Sequence, residues 1–359
     1  MKFCRSLLLA LIILTLGIMV SCKKQVENNV YEMTQFKMDT SMTIKAYGQE
    51  SEAAVKEAFK RIDEIEQIAS ININTSDISR INNASGSEFI HVHPEILKII
   101  KTAISYSKLS NGAFDITVGP IVQLWGIGTQ NERVPSPEEI KDKLKLVGYE
   151  KIKINEVDSS IMLAQKGMVI DLGGIAKGYA ADEAARIIIS HGIKKATINL
   201  GGSSVYAIGE KDNNKPWKIG IQHPRKENGQ GFLGVIQVSN SVISTSGDYE
   251  RFFIKDGIRY HHIIDPLTGY PADSGVISNT IIIKSNSVVD NSMDASMDAD
   301  ALTKVAFVLG SQKGMEFING IPGVECIIAT QDHKIITSPG LVGKLESISE
   351  DFKYDAQGR

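Results

Sequence analysis

Cysteine is nearly missing from this sequence, whose 359 residues contain only Cys4, Cys22 and Cys326. Three thiols so widely spaced supply no disulfide framework, so the fold must be held by an apolar core, which 42% apolar content can build. A surplus of positive charge is also missing. With a formal charge of −3 the chain has no basic footprint for nucleic acid, and its partners must be of another kind. Apolar runs of bilayer length are absent too, since Leu7 to Val20 offers 14 residues, too few to span comfortably. Neither the G-x-G-x-x-G spacing of dinucleotide-binding folds nor the G-x-x-x-x-G-K-[ST] of P-loops occurs at the glycine turns, so neither label applies.

What is present begins at the N-terminus. Lys2 and Arg5 precede the apolar run and Ser21-Cys22 closes it, the layout of a signal-peptide core followed by a lipoprotein processing site. Residues 1–21 are therefore expected to be removed and Cys22 to carry lipid; an uncleaved anchor and a simple secretory signal are the other readings. Loss of Lys2 and Arg5 moves the formal charge from −3 to −5. Residues 22–30 then form a polar tether, 31–345 the folded domain and 346–359 a C-terminal tail. The expected location is the outer face of the inner (cell) membrane, lipid-anchored and facing the periplasm or extracytoplasmic side. Cys326, inside the apolar run Val324 to Ile328, reads as a buried strand residue rather than a nucleophile.

Apolar residues recur at helical spacing over Glu52 to Ile68 (Ala54, Val55, Ala58, Phe59, Ile62, Ile65), which predicts a surface helix with its charges outward. Pro94 to Leu109 predicts a second, with proline where its missing N–H costs little, and Pro137 to Val147 a third. Ile152 to Ile154 with Ser160 to Ala164 reads as a hairpin, followed by a strand Met168 to Leu172, a glycine turn and a helix Tyr179 to Ser190. Further strands are predicted at Ala196–Leu200, Ser204–Ile208, Trp217–Gln222, Gly234–Val238, Val242–Ser244 and Thr280–Lys284. Asp300 to Leu309 predicts a helix, and Val324–Thr330 with His333–Thr337 a closing hairpin. Helices and strands interleave without a regular βαβ period, so the fold class is α+β rather than doubly wound.

The strongest local signal is Val169 to Tyr179, where a strand runs through Asp171, Gly173 and Gly174 into a helix opened by Lys177 and Gly178. Glycines let backbone approach a ligand, and a helix N-terminus offers free N–H groups to an anion, so the segment reads as a phosphate cradle. Taken alone, a ligand-free turn explains it as well. Asn199 to Ser203 and Ser110 to Pro120 are two more polar glycine turns at strand ends, and together the three predict one cleft. Ser244 to Tyr249 and Tyr260 to Gly269 gather hydroxyls, imidazoles and carboxylates. There His262, with Asp265 three residues on, could form a base and its orienting carboxylate, while a structural role stays open for either His261 or His262. Asp290, Asp294, Asp298 and Asp300 form an acidic stretch without His or Cys, which suits a hard cation such as Mg²⁺, although a solvated loop or helix-start carboxylates would look the same.

Taken in order, these segments resemble the ApbE family of FAD:protein FMN transferases, over roughly Tyr31 to Gly340. The pieces that carry the resemblance are Gly112 to Gly128 with Leu124-Trp125-Gly126, Asp171 to Tyr179, Ser246 to Phe252, His262 to Gly269, and Ala299-Asp300-Ala301-Leu302. The resemblance implies a T-fold-related core with interleaved helices and mixed or antiparallel sheets. It implies a Mg²⁺-dependent transfer of FMN from FAD, as substrate, to a threonine or serine hydroxyl of another protein, with release of AMP. It further implies contacts to flavin or nucleotide from Met38, Ala113, Phe114, Asp115, Asp171, Lys177, His262 and Ile264, and from the position of Asn72. Metal ligation falls to the Gly174 carbonyl and the Asp300 carboxylate, and His262 assists the attacking hydroxyl, so His262 and Asp300 are the catalytic pair. The implied acceptors are exported flavoprotein subunits of membrane redox complexes, of the Rnf or sodium-pumping NADH:quinone reductase type.

The sequence departs from the family at three places. Where the family usually has threonine four residues after the metal aspartate, this chain has Lys304, with Thr303 before it. A lysine there either repels the cation or itself neutralises the pyrophosphate. Asn72 stands where many relatives place an aromatic that can stack on the nucleotide, and Met38-Asp39-Thr40 replaces the commoner Met-Gly-Thr. Looser retention of FAD favours hydrolysis, so an FAD pyrophosphatase giving FMN and AMP is an alternative, and a lipoprotein that only binds flavin is another. His262, Asp300 and the glycine turns argue against the pure binder.

Overall fold

A computed structural model of the protein describes residues 29–211, 214–226, 230–285 and 294–355. The signal segment, Cys22, nearly all of the tether and Asp290 lie outside the described residues. The chain starts with a hairpin, β1 (Val30–Lys37) and β2 (Thr40–Tyr47), whose two-residue turn places Met38 and Asp39 at φ 49° and 59°. Both residues in the left-handed region is the turn that matches strand twist, so the hairpin closes tightly. Next come α1 (Ser51–Ala69), α2 (Asp77–Asn83), β3 (Ile90–His91), α3 (Pro94–Leu109), α4 (Gly119–Trp125), α5 (Pro137–Leu144), β4 (Ile152–Asn155), β5 (Ser160–Leu163) and α6 (Ala176–Ser190). A strand-rich half follows: β6 (Ala196–Leu200), β7 (Ser204–Ile208), β8 (Trp217–Gln222), β9 (Phe232–Val238), β10 (Ser241–Gly247), β11 (Phe252–Lys255), β12 (Ile258–His261) and β13 (Val276–Lys284). The chain closes with α7 (Ala295–Asn319), β14 (Val324–Thr330), β15 (Lys334–Thr337), β16 (Leu345–Glu346) and β17 (Lys353–Asp355).

Among the described residues the main sheet has nine strands in the order β1-β2-β6-β7-β10-β13-β14-β15-β17, antiparallel throughout except for the last pair. Helices cover one face: α1 packs on α6, α6 on α7, and α7 lies over β10, β13 and β14. The other face is covered by the small sheet β16-β9-β8, whose Trp217, Leu233 and Ile236 pack against Ile243, Ile282 and Ile327 of the main sheet. β13 is buried on both sides over Val276 to Ile283, so its sequence does not alternate, and it carries Ser278, Asn279 and Thr280 inside the core between apolar residues. A third cluster around Trp125, Ile121, Ile140 and Ile264 joins α4 and α5 to the segment after β12, with Trp125 Nε1 donating to the Gly269 carbonyl at 2.8 Å.

The α+β class holds, and four of the five predicted helices appear near their expected bounds, α5 stopping at Leu144 rather than Val147. The strand expected at Met168–Leu172 is not one. Its backbone is extended but held by side chains and loops: Asn82 brackets Ile170 through N–H to Oδ1 (2.7 Å) and Nδ2–H to the carbonyl (2.9 Å), and Asp171 N donates to the Ile116 carbonyl (2.8 Å). Only Val169 makes a bridge, with Val118. His333, expected in the closing strand, sits in the turn before it at φ 59°. α7 runs well beyond the predicted Asp300–Leu309 and breaks at Gly310, where φ is 84°.

Candidate active site

Two of the three glycine turns meet directly. A Cβ on Gly174 would stand 3.2 Å from the Phe114 ring, so the 173–174 turn rests on the 110–115 turn. Gly201 has no room for a Cβ beside Thr40, which places the third turn against the β1–β2 hairpin, and that hairpin reaches the cleft when Arg251 donates to the Asp39 carbonyl at 3.4 Å. Asn72 Nδ2 donates to Asp39 Oδ2 at 3.3 Å, so two of the family departures touch one another. Met38 is fixed beside them, its backbone N–H donating to Glu66 Oε1 at 2.8 Å.

The floor of the cleft lies where α6 begins against α7. Gly178 has no space for a side chain, because a Cβ would press into the Ser296 carbonyl. That close approach lets Gly178 N–H donate to Asp300 Oδ2 at 3.2 Å, while Lys304 Nζ is 2.5 Å from Oδ1. Burial opposes ionisation of Asp300, yet Lys304, Lys177 and the Gly178 N–H together hold its carboxyl below the ordinary value. Burial lowers Lys177, with Lys304 and Arg251 adding to the effect and Asp300 opposing it. Lys177 Nζ donates to the Gly173 carbonyl at 3.3 Å, so the cation sits over the turn expected to cradle phosphate. Behind Asp300, Thr303 Oγ1 donates to its carbonyl at 2.6 Å and accepts from Ser246 at 2.8 Å, which ties α7 to β10.

The two histidines divide their roles. His261 is buried, its Nε2 donating to the Ala272 carbonyl (3.1 Å) and its Nδ1 accepting from Ile263 N–H (3.3 Å), so both nitrogens are satisfied structurally. His262 faces the cations. Burial first, then Lys304, His261, Lys177 and Arg251, push its pKa down to about 3, so the ring is neutral. Its Nδ1 lies 3.3 Å from the Arg251 carbonyl, which can only accept; Nδ1 therefore carries the proton and Nε2 keeps a lone pair. Asp265 does not orient it: that carboxylate accepts from Leu267 N–H and Thr268 Oγ1 and caps its own turn.

Other expected contacts are committed to the scaffold. The Asp115 carboxylate, buried, accepts from Thr117 N–H, Thr117 Oγ1 and Tyr149 N–H, and borders a cavity of about 420 Å³ with Gly112, Tyr149 and Leu267. Ala113 is buried in the same turn. Asp171 accepts from Gly173 N–H at 2.7 Å and shapes the glycine turn. The Ile264 side chain belongs to the Trp125 cluster. The described members of the acidic stretch do not converge: Asp294 pairs with Arg186 and Lys98, Asp298 faces Tyr106, and of these three only Asp300 enters the cleft. Among the described residues no three His, Cys, Asp or Glu side chains gather as a metal cluster. Sequence reasoning missed Arg251, although it stands inside the Ser246 to Phe252 segment that carried the resemblance.

A family model, that of the ApbE family, matches residues 38–328. A Treponema pallidum protein described as "FAD:protein FMN transferase" is 31% identical over 92% of this chain and 93% of its own. A Klebsiella pneumoniae protein of the same description is 34% identical over 87% of this chain and 93% of its own. The crystal structure of an ApbE protein from Thermotoga maritima superposes with a TM-score of 0.78 at 34% identity, covering 88% of this chain and 99% of that one. The flavin transferase ApbE from Vibrio cholerae superposes at 0.77 with 28% identity, covering 89% of this chain and 100% of that one.

Proposed function

The chain belongs to the ApbE family and transfers FMN from FAD to a protein, and we propose that it does so in the His262–Asp300 cleft by attack of an acceptor threonine or serine hydroxyl on the FMN phosphorus. The new bond joins the hydroxyl oxygen to that phosphorus, the bridging P–O bond to AMP breaks, and AMP leaves. The hydroxyl proton passes to His262 Nε2. The observation that carries this reading is the tautomer of His262: a neutral ring that donates at Nδ1 keeps its Nε2 lone pair free to accept a proton, and the negative charge of a bound pyrophosphate offsets the neighbouring cations that push its pKa down in the flavin-free cleft. Lys177 and Arg251 bind and orient the pyrophosphate, and the Gly173–Gly174 turn admits it close to backbone. Met38, Asn72, Phe114 and the cavity beside Asp115 hold the rest of FAD.

A magnesium ion fits the donors present. The Asp300 carboxylate already holds the Lys304 ammonium, whose stem passes the Gly174 turn, so this corner of the cleft accepts a cation, and the two donors, a carboxylate and a backbone carbonyl, are hard oxygens. Mg²⁺ takes one or two protein ligands and completes its shell with phosphate oxygens and water. When bound, it draws charge from the phosphoryl oxygens and so favours departure of AMP. Cys22 carries the lipid in this reading and fixes the domain to the extracytoplasmic face of the cell membrane, where exported flavoprotein subunits of Rnf or sodium-pumping NADH:quinone reductase type present the acceptor hydroxyl. Among the described residues no helix is long and apolar enough to cross a membrane.

The test is to incubate the full-length chain with FAD, a threonine-bearing acceptor domain, and Mg²⁺ or EDTA, following AMP release and acceptor mass. AMP with an FMN-sized mass gain, both lost in EDTA, is the expected result. AMP without acceptor modification would replace transfer by pyrophosphatase chemistry, and intact bound FAD would leave only binding.

A further inference from the structure

Lys304 lies one helical turn beyond Asp300 on α7, with its ammonium 2.5 Å from Asp300 Oδ1. Its stem passes Gly174, with Cε 3.7 Å and Cγ 3.8 Å from where a Cβ on that glycine would stand. The ammonium thus occupies one oxygen of the carboxylate assigned to the metal, and its stem lies beside the glycine turn that carries the other assigned donor. The other Asp300 oxygen is taken by Gly178 N–H at 3.2 Å. Side-chain exposure is 21% for Lys304 and 5% for Asp300, so solvent ions screen this pair poorly. A divalent ion approaching the flavin-free cleft meets a carboxylate already paired with an ammonium, and Lys177, over the Gly173 carbonyl, is a second cation on that side of the cleft.

We propose that Lys304 is a built-in counter-ion that keeps divalent metal out of the flavin-free cleft, so that metal enters only together with a pyrophosphate-bearing ligand. The inference rests on Asp300 being a metal ligand, as assigned under the proposed function. A pyrophosphate supplies the missing balance: it brings negative charge and oxygen donors for the metal, and it gives the Lys304 ammonium an alternative partner as the ammonium leaves Asp300. The coupling is reciprocal, so metal tightens the diphosphate as much as the diphosphate tightens the metal. The flavin-free enzyme then rests with its charges paired.

The test uses flavin-free full-length protein and Mn²⁺ as probe, with free Mn²⁺ read by electron paramagnetic resonance. Wild type, Lys304→Met and the double variant Lys304→Met/Asp300→Asn are compared, with Lys304→Gln as a second replacement and circular dichroism melts to establish folding. Lys304→Met is expected to bind Mn²⁺ about tenfold tighter or more than wild type, the effect of removing a unit charge from a poorly screened site, and the double variant to lose that site. Wild-type affinity equal to that of Lys304→Met, with the site still dependent on Asp300, would overturn the role of Lys304 and leave the metal assignment standing. Absence of any Asp300-dependent Mn²⁺ site in both lysine variants would remove the metal assignment, and this inference with it.

Discussion

Adjacent side chains near the end of a strand point to opposite sides, and His261 and His262 show what that geometry does with identical chemistry. One imidazole turns inward, finds a partner for each nitrogen and stacks edge-on against Phe307 at 5.4 Å. Its neighbour turns into the cleft and keeps a lone pair. The sequence showed that the pair existed and the family resemblance pointed to His262, but only coordinates separate a satisfied imidazole from an available one. Replacing His262 with Ala should therefore lower the rate of FMN transfer by about 10²- to 10⁴-fold, the range for loss of a proton acceptor, with little change in FAD affinity. AMP release and fluorescence titration of FAD check the two halves. His261→Ala should instead lower the melting temperature, since it empties a buried site. Turnover unchanged in His262→Ala would remove it from the reaction.

At the scale of the element, α7 explains why the acidic stretch misled. Asp294 and Asp298 are four residues apart and share one face, toward α3 and α6, where Lys98, Arg186 and Tyr106 meet them. Asp300 lies on a different face and shares it with Lys304. The helical period, applied to the charges as it was to the apolar residues, would have separated them. The start of α7 is capped from α6 by Asp182, whose carboxylate accepts from Ser296 and Met297 N–H, so no aspartate of the stretch is needed there. Strongly periodic helices were legible to within a few residues, whereas 168–172 was not, because Asn82, distant in sequence, takes the hydrogen bonds that a neighbouring strand would have supplied. Asp298 offers a measurable consequence. Burial raises its carboxyl from 3.8 to about 6, so the folded state keeps a proton that the unfolded chain releases. As pH rises through that window the native state loses stability relative to a neutral replacement. Asp298→Asn should match wild type near pH 4 and exceed it above pH 7 by on the order of 2 kcal/mol. Urea titrations of both proteins at the two pH values decide the matter; an equal gap at both would mean that Asp298 ionises freely.

Across the whole molecule, the helix layer carries Lys177, Asp300 and Lys304, the segments between β10 and β13 carry Arg251 and His262, and the small sheet braces the latter from outside. Arg225, in the segment after β8, forms a bidentate pair with buried Asp248, at 2.6 and 2.8 Å, three residues before Arg251. Two residues before Arg225, His223 Nε2 holds Asp351 at 2.9 Å, and the adjoining Phe352 is buried in the second core cluster and stacks on His333 at 4.9 Å. The segment beyond residue 345 reads as a polar tail because its apolar positions are too few for either period to register, yet β17 pairs with β15 and Phe352 fills the space between the layers. The brace therefore runs from the end of the chain through His223 and Arg225 to the rim of the cleft. Phe352→Ala should cost about 3–5 kcal/mol, as for other buried phenylalanines, and removal of residues 347–359 should cost more, because it also exposes the β15 edge and leaves His223 buried without its carboxylate partner. The two losses are read by urea unfolding, and the transfer rate is read at a temperature where both variants remain folded. A truncated chain as stable as the intact one would show that the small sheet stands without the C-terminal segment, and that the cleft is braced by Arg225 and Asp248 alone.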